Sequence, residues 1–268
     1  MFKGYKLGAI SFRWNYKDLI ALGSEQFDSY GKKVKSSLDS FLLVDGSLDA
    51  SKIIDTWFPG IDAHVFISHS HQDNDDVLAL AGWLKKHFGI NSFIDSCIWG
   101  YGKDLIKQLD DKYNEIEPNL YSYPEVINSA THVSMMLSSA LNVMIDKTEC
   151  LIFYRTPNSI QPFGSNNTTH SPWIYSEIAF SSTVRLNKPP RVQLLEEKTK
   201  MLHEQKDHLE KAQVLRYTVN DKHLKKLDVE TLQNWRLSHV KTSGPLKALD
   251  TLYELTFPLK DDRPRILG

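Results

Sequence analysis

Cysteine is scarce in this chain. Only Cys97 and Cys150 occur in 268 residues. They form neither a CxxC pair nor a disulfide framework, so a reducing, cytoplasmic setting is the simple expectation. Long apolar runs are missing too. No stretch approaches the roughly 18–20 consecutive apolar residues of a membrane span, and Met1-Phe-Lys-Gly-Tyr-Lys-Leu-Gly8 lacks the apolar core of a secretory signal. Charge of neither sign prevails. Lys and Arg number 32 against 33 Asp and Glu, leaving a formal charge of −1 and a pI of about 6.8. That balance argues against nucleic acid or an anionic membrane surface as the partner. Internal repeats and low-complexity tracts are absent as well.

What remains is a chain with 41% hydrophobic residues, enough for one large domain or one domain with appendages. His64-Val-Phe-Ile-Ser68 is a short apolar run suited to a buried parallel strand. The polar loop His69-Ser-His-Gln-Asp-Asn74 follows. Val77, Leu80, Ala81, Leu84 and Phe88 then fall at helical spacing, with Gly89 as a stop. Ser92-Phe-Ile-Asp95 reads as a second strand, followed by a loop, Ser96–Gly102, rich in glycine and aromatics. Leu105, Ile106, Leu109 and Tyr113 suggest a further helix. Pro124 opens a longer one, striped by Ile127, Ala130, Val133, Leu137, Leu141, Met144 and Ile145. Cys150-Leu-Ile-Phe-Tyr154 is the clearest strand in the chain.

Outside this alternation the pattern is weaker. Asp49–Phe58 predicts a short helix stopped by Pro59-Gly60, and Lys32–Leu43 a second one. Between Arg191 and Ala212 ten residues are charged, and Leu195, Leu202 and Leu209 recur every seven positions with polar residues between them. A solvated helical insertion fits that better than a coiled coil. Val214–Val219 resumes strand-like composition, and Leu246, Leu249, Leu252 and Tyr253 predict a closing helix. The expected regions are a helical leader over 1–60, a core over 61–190, a charged helical insertion over 191–213, and a last strand with closing helix over 214–268. Strand alternating with helix implies an open, mainly parallel sheet with helices on both faces. Such sheets bind ligands at the carboxyl ends of their strands.

One segment suggests chemistry. Ser171 can cap a helix and Pro172 suits its first position. Trp173 and Glu177, spaced i and i+4, then share one face. An aromatic plate beside a single carboxylate at a helix start suits a sugar or a nucleotide. The plainer reading is a packed tryptophan and a solvated glutamate. The His69–Asp73 loop, the Trp99–Gly102 loop and the Ser171 helix start all fall at the expected carboxyl end of the sheet.

These residues resemble a Toll/interleukin-1 receptor (TIR) domain of the bacterial NAD-cleaving type. Val65-Phe-Ile-Ser-His-Ser70 with Asp73 is similar to that family's opening box. Phe93-Ile-Asp95 with Gly100 and Gly102 is similar to its second strand and following loop, and Ser171-x-Trp173-x-x-x-Glu177 to its catalytic segment. The likeness covers roughly 63–185. It implies a flavodoxin-like open, mainly parallel five-stranded sheet, with Glu177 as the catalytic carboxylate contacting the nicotinamide ribose. It places Trp173 as a pocket wall, Ser68 and His69 beside the ligand, and Trp99 and Tyr101 as a cover. NAD is then the substrate, with no cofactor and no metal. The resemblance also implies a homo-oligomer or filament, and a product (ADP-ribose or a cyclic relative) sensed by a second protein, as in antiphage defence. The long helix after Pro124 and the insertion after Pro190 depart from the family's usual pattern.

The proposed chemistry asks little of the protein. Nicotinamide leaves as a neutral molecule, so no general acid is required. One carboxylate suffices to hold the ribose and stabilise an oxocarbenium-like charge, whereas ordinary glycosidases use two. Three other readings compete. A TIR adaptor acting by assembly needs no glutamate at 177. A nucleoside deoxyribosyltransferase relative would use a carboxylate nucleophile on a related sheet. His69-Ser-His71-Gln-Asp73 matches the His-x-His-x-Asp spacing of metallo-β-lactamase-like hydrolases, although Asn74 stands where that motif continues with histidine, and His132 and His170 are isolated.

Overall fold

The two apolar runs that read as strands form the heart of the molecule because neither face of them meets water. The computed structural model describes residues 1–12, 15–31, 38–192, 215–240 and 243–257, without the side chains of 27–31, 96–100 and 192. In chain order come β1 (Lys3–Gly8), α1 (Tyr16–Gly31), α2 (Ala50–Trp57), β2 (Val65–Ser68), α3 (Asn74–Phe88), β3 (Ser92–Ile94) and α4 (Ser96–Leu109). A small hairpin of β4 (Glu115–Glu117) and β5 (Leu120–Tyr121) leads to α5 (Tyr123–Lys147), β6 (Cys150–Arg155), β7 (Gln161–Phe163), β8 (Asn166–Thr169) and α6 (Pro172–Thr183). The chain closes with β9 (Tyr217–Thr218), β10 (Lys225–Leu227), α7 (Val229–Ser238) and α8 (Pro245–Thr256).

The central sheet has five strands in the order β10-β1-β6-β2-β3, all parallel. Its side chains alternate between two apolar layers. Phe66, Phe93, Leu151 and Phe153 face one layer, covered by α2, α4, α5 and α6. Val65, Ile67, Ile94, Cys150, Ile152, Tyr154, Tyr5 and Leu7 face the other, covered by α3, α7 and α8. Two buried faces explain why β2 and β6 read as unbroken apolar runs rather than alternating ones. The result is the expected open α/β sheet of flavodoxin-like type with helices on both faces.

α1 lies against α3 at close range. A Cβ on Gly23 would fall 2.0 Å from the Leu78 carbonyl oxygen, and one on Gly82 1.9 Å from that of Leu19. The glycines let the two backbones touch.

Three expectations need correction. Residues 1–60 are not a separate helical leader, since β1 lies inside the central sheet between β6 and β10. Its sequence, Lys-Gly-Tyr-Lys-Leu-Gly, carries only two large apolar residues, Tyr5 and Leu7, and both are fully buried. Lys6 reaches past the sheet to Asp221, so a charged residue can sit in a central strand. Residues 96–102 are the first turns of α4 rather than a loop. Gly102 packs on α5, where a Cβ would stand 3.6 Å from Leu137 Cδ2, and tertiary packing there overrides the glycine's weak helix propensity. The strand near 214–219 is β9, which pairs antiparallel with β8 in a separate three-stranded sheet. The last strand of the central sheet is Lys225–Leu227, an edge strand with two lysines and little apolar signal. Most of the charged insertion, 193–214, lies outside the described residues, as do 32–37 of the predicted helix at 32–43.

Candidate active site

The chain order places a crevice at one point of the sheet. From β2 the chain leaves through α3 to one face, and from the neighbouring β6 it leaves through α6 to the other. Adjacent parallel strands whose helices part in this way open a cleft at their carboxyl ends. β2 ends there at Ser68 and His69, and β6 at Arg155 and Thr156.

α6 delivers Glu177 to this end. Ser171 caps the helix, its Oγ accepting from Ile174 N at 3.3 Å, and Pro172 occupies the first turn. The inward face of the helix carries Ile174, Glu177, Ile178 and Ser181. A glutamate between two isoleucines on a buried face is costly unless it is partnered. Glu177 is 1% exposed. Its Oε2 accepts a 2.6 Å hydrogen bond from Ser68 Oγ, while the buried Oε1 has no hydrogen-bond donor among the described residues.

Asp95, at the end of β3, is the charged group whose negative field acts on Glu177. Beyond it, His69 Nδ1 stands 2.9 Å from Asp95 Oδ1, with both side chains buried. Among the described residues neither buried ring nitrogen of His69 makes a hydrogen bond of good geometry. The contacts thus form two pairs, Ser68 with Glu177 and His69 with Asp95. Burial pushes the Glu177 carboxyl well above the ordinary carboxylate range. The negative Asp95 adds to that rise, the Ser68 hydroxyl opposes it, and the hydrogen bond with Asp95 reinforces it.

Other buried carboxylates are handled differently. Asp73 accepts from Thr156 Oγ1 and, at 2.7 Å, from Asn158 Nδ2, which ties the loop after β2 to the loop after β6. Asp221 is held between Lys6 Nζ at 3.0 Å and Arg155 Nε at 3.1 Å. Asp73 and Asp221 have donors at both oxygens, whereas among the described residues Glu177 Oε1 has none. A carboxyl so strongly perturbed is a candidate functional group.

The expected site residues divide accordingly. Ser68, His69 and Glu177 come together. Trp173, one turn before Glu177, and Tyr101 on α4 are half-buried on the rim of the same apolar layer. The Trp99 side chain lies outside the described residues. Asp95 was read only as a strand end. The signal for its part was an acid closing a strand beside β2, which means little until the strand order is known.

His69, His71 and Asp73 do not gather as a metal centre. His69 turns to Asp95, His71 is exposed and Asp73 is engaged by Thr156 and Asn158. Among the described residues no group of three or more His, Cys, Asp or Glu is placed to hold a metal ion. His132 and His170 are exposed.

A groove of about 410 Å³ runs on the opposite face, between α3 and α7, lined in part by Phe12, Trp83, Lys86 and Arg236. None of the described buried polar atoms left without a hydrogen bond lies on it.

The molecule is thus an open parallel α/β protein with a buried glutamate at its switch point. Compared with known proteins, the chain matches no family model, no curated protein and no solved structure. No described helix is long and apolar enough to cross a membrane.

Proposed function

We propose that this protein cleaves the nicotinamide–ribose bond of NAD, with Glu177 as the acting carboxylate. The observation that carries the reading is a glutamate on the buried face of α6, at the switch point of a parallel sheet, with one oxygen held by Ser68 and the other without a donor among the described residues. The TIR-like segments around Ser68, Asp95 and Glu177 support the same assignment. In the reaction Glu177 holds the ribose hydroxyls and stabilises positive charge as it develops at C1′. Nicotinamide departs neutral, so the leaving group needs no proton. Trp173 walls the pocket. Water then completes hydrolysis to ADP-ribose, or the adenine end of the same molecule captures C1′ and the product is cyclic, a signal for a second protein.

Glu177 is shielded in this structure, so the side chains over it must part before substrate enters. We tie that step to self-assembly. α5 exposes an apolar ridge of Tyr123, Ile127, Met135 and Val143, all on one i+4 row and all more than two-fifths exposed. The ridge also favours the second reading, an adaptor that works by assembly alone.

The test is mass spectrometry of NAD incubated with wild type and Glu177→Gln. Wild type is expected to release nicotinamide with ADP-ribose or a cyclic isomer at least about 100-fold faster than the variant, the scale on which loss of an electrostatic stabiliser is felt. Equal turnover removes Glu177 from the chemistry. An adaptor would assemble as well with glutamine at 177 and would consume no NAD in either form.

A further inference from the structure

We infer that the groove between α3 and α7 binds a small dianion carried on a flat ring, and that a nucleoside monophosphate is the matching chemical class. This second site is separate from the Glu177 crevice, and it stands whether or not NAD is cleaved.

Two helix faces and one loop build the groove. Trp83, Lys86 and His87, spaced i, i+3 and i+4, share one face of α3. Val229, Leu232, Gln233 and Arg236 follow at i, i+3, i+4 and i+7 on one face of α7. The segment after β1 adds a third wall with Ile10 and Phe12. Aromatic packing fixes the two helices against each other. Phe88 of α3 stacks on Trp235 of α7 with ring centroids 4.0 Å apart, and Trp83 meets Trp235 edge-on at 6.1 Å. Trp235 Nε1 donates to the Ala248 carbonyl at 2.7 Å, which ties α7 to α8. On the loop side Ile10 N donates to the Tyr154 hydroxyl at 3.2 Å. The hollow is therefore preformed, and its volume of about 410 Å³ suits a small molecule.

Its chemistry has two halves. Trp83 and Phe12 stay partly exposed where they line it. Aromatic rings left open in a concave wall suit a flat ring, and such stacking accepts any nucleobase. The charge is one-sided. No carboxylate lines the groove, whereas Lys86 and Arg236 do, and both are exposed. Among the described residues neither of them forms an ion pair. Lys6, Arg155 and Arg191 elsewhere each meet a carboxylate. Two unneutralised cations on one hollow match the charge of a phosphate monoester, close to −2 at neutral pH. A guanidinium also grips phosphate oxygens two at a time. A neutral apolar ligand would leave the cations unused, and a bare anion would leave Trp83 and Phe12 unused. Only a ring that carries an anion uses both.

The experiment is isothermal titration calorimetry on the full chain with AMP, adenosine, inorganic phosphate and hexaglutamate as probes. Wild type is expected to bind AMP at least about tenfold more tightly than adenosine or phosphate, because one molecule then collects both contributions. The double variant Lys86→Gln/Arg236→Gln changes only exposed side chains, and it should lose at least about tenfold in AMP affinity. Added salt should weaken AMP binding and leave adenosine binding unchanged. Glu177→Gln should bind AMP as wild type does. Absence of AMP binding, or equal affinity in wild type and the double variant, overturns the proposal. So does phosphate bound as tightly as AMP, which would mean an anion site with no use for a ring. Hexaglutamate bound more tightly than AMP would make the groove a docking surface for acidic protein and would also sink it. Loss of AMP binding in Glu177→Gln would move the ligand to the α6 crevice, against the inference.

Discussion

At the scale of single residues, Glu177 weakens the fold at neutral pH. Its carboxyl is pushed up in the folded state by burial and by Asp95, while in the unfolded chain it titrates near 4.3. As pH rises through that unfolded value, the unfolded chain releases the proton and the folded one keeps it, so stability falls until the folded carboxyl also ionises. Glu177→Gln does not undergo this loss. Its melting temperature should match that of wild type near pH 4 and exceed it at pH 7–8, by roughly 2–4 °C for each kcal/mol regained. A scanning melt across pH checks this, and a constant difference at all pH values refutes it. The sequence shows that Glu177 shares a helix face with Trp173, but not that the face is the buried one. That depends on α6 lying over the sheet, with Ile174 and Ile178 on the same side.

At the scale of elements, the α1–α3 contact is set by two glycines. By propensity alone, Gly82→Ala in the middle of α3 would stabilise the helix by about 1 kcal/mol. The added methyl would stand 1.9 Å from the Leu19 carbonyl oxygen, a backbone atom that can yield only if the whole of α1 shifts. Overpacking of that kind costs about 1–3 kcal/mol, so the variant is expected to be less stable despite the gain in propensity. Chemical denaturation with an unchanged slope and a lower midpoint is the anticipated result, and a higher midpoint would show that α1 moves freely. α2, α3, α5 and α8 were readable because each carries an apolar stripe at helical spacing. α1 was not, since its contact with α3 uses glycine rather than large apolar side chains. The first turns of α4 were masked in the same way by Gly100 and Gly102.

At the scale of the whole molecule, the sheet is closed up by its own N-terminus. β1 pairs with β6 along six residues and with β10 along three. Removing residues 1–8 would separate β10 from the rest of the sheet and bare the full hydrogen-bonding edge of β6. It would also withdraw Tyr5 and Leu7 from the layer under α8, including the 2.9 Å bond between the Tyr5 and Thr256 hydroxyls. The truncated chain is expected to aggregate or lose cooperative unfolding. Circular dichroism melts and sedimentation test it, and a native-like melt would return residues 1–8 to the status of an appendage.

The apolar runs, helical stripes and caps of this chain determined by themselves that it forms a parallel α/β sheet, because local periodicity and double-sided burial are written in neighbouring residues. They also placed Ser68 and His69 at the end of a strand and Glu177 on a helix. Strand order was decided only in three dimensions, because the pairing of Lys3–Gly8 with Cys150–Arg155 joins segments about 150 residues apart and leaves no local mark on either. The hydrogen bond from Ser68 to Glu177 joins segments more than 100 residues apart and likewise exists only in the fold. Glu177 becomes a buried carboxyl because α6 sets that face against the apolar layer, away from water.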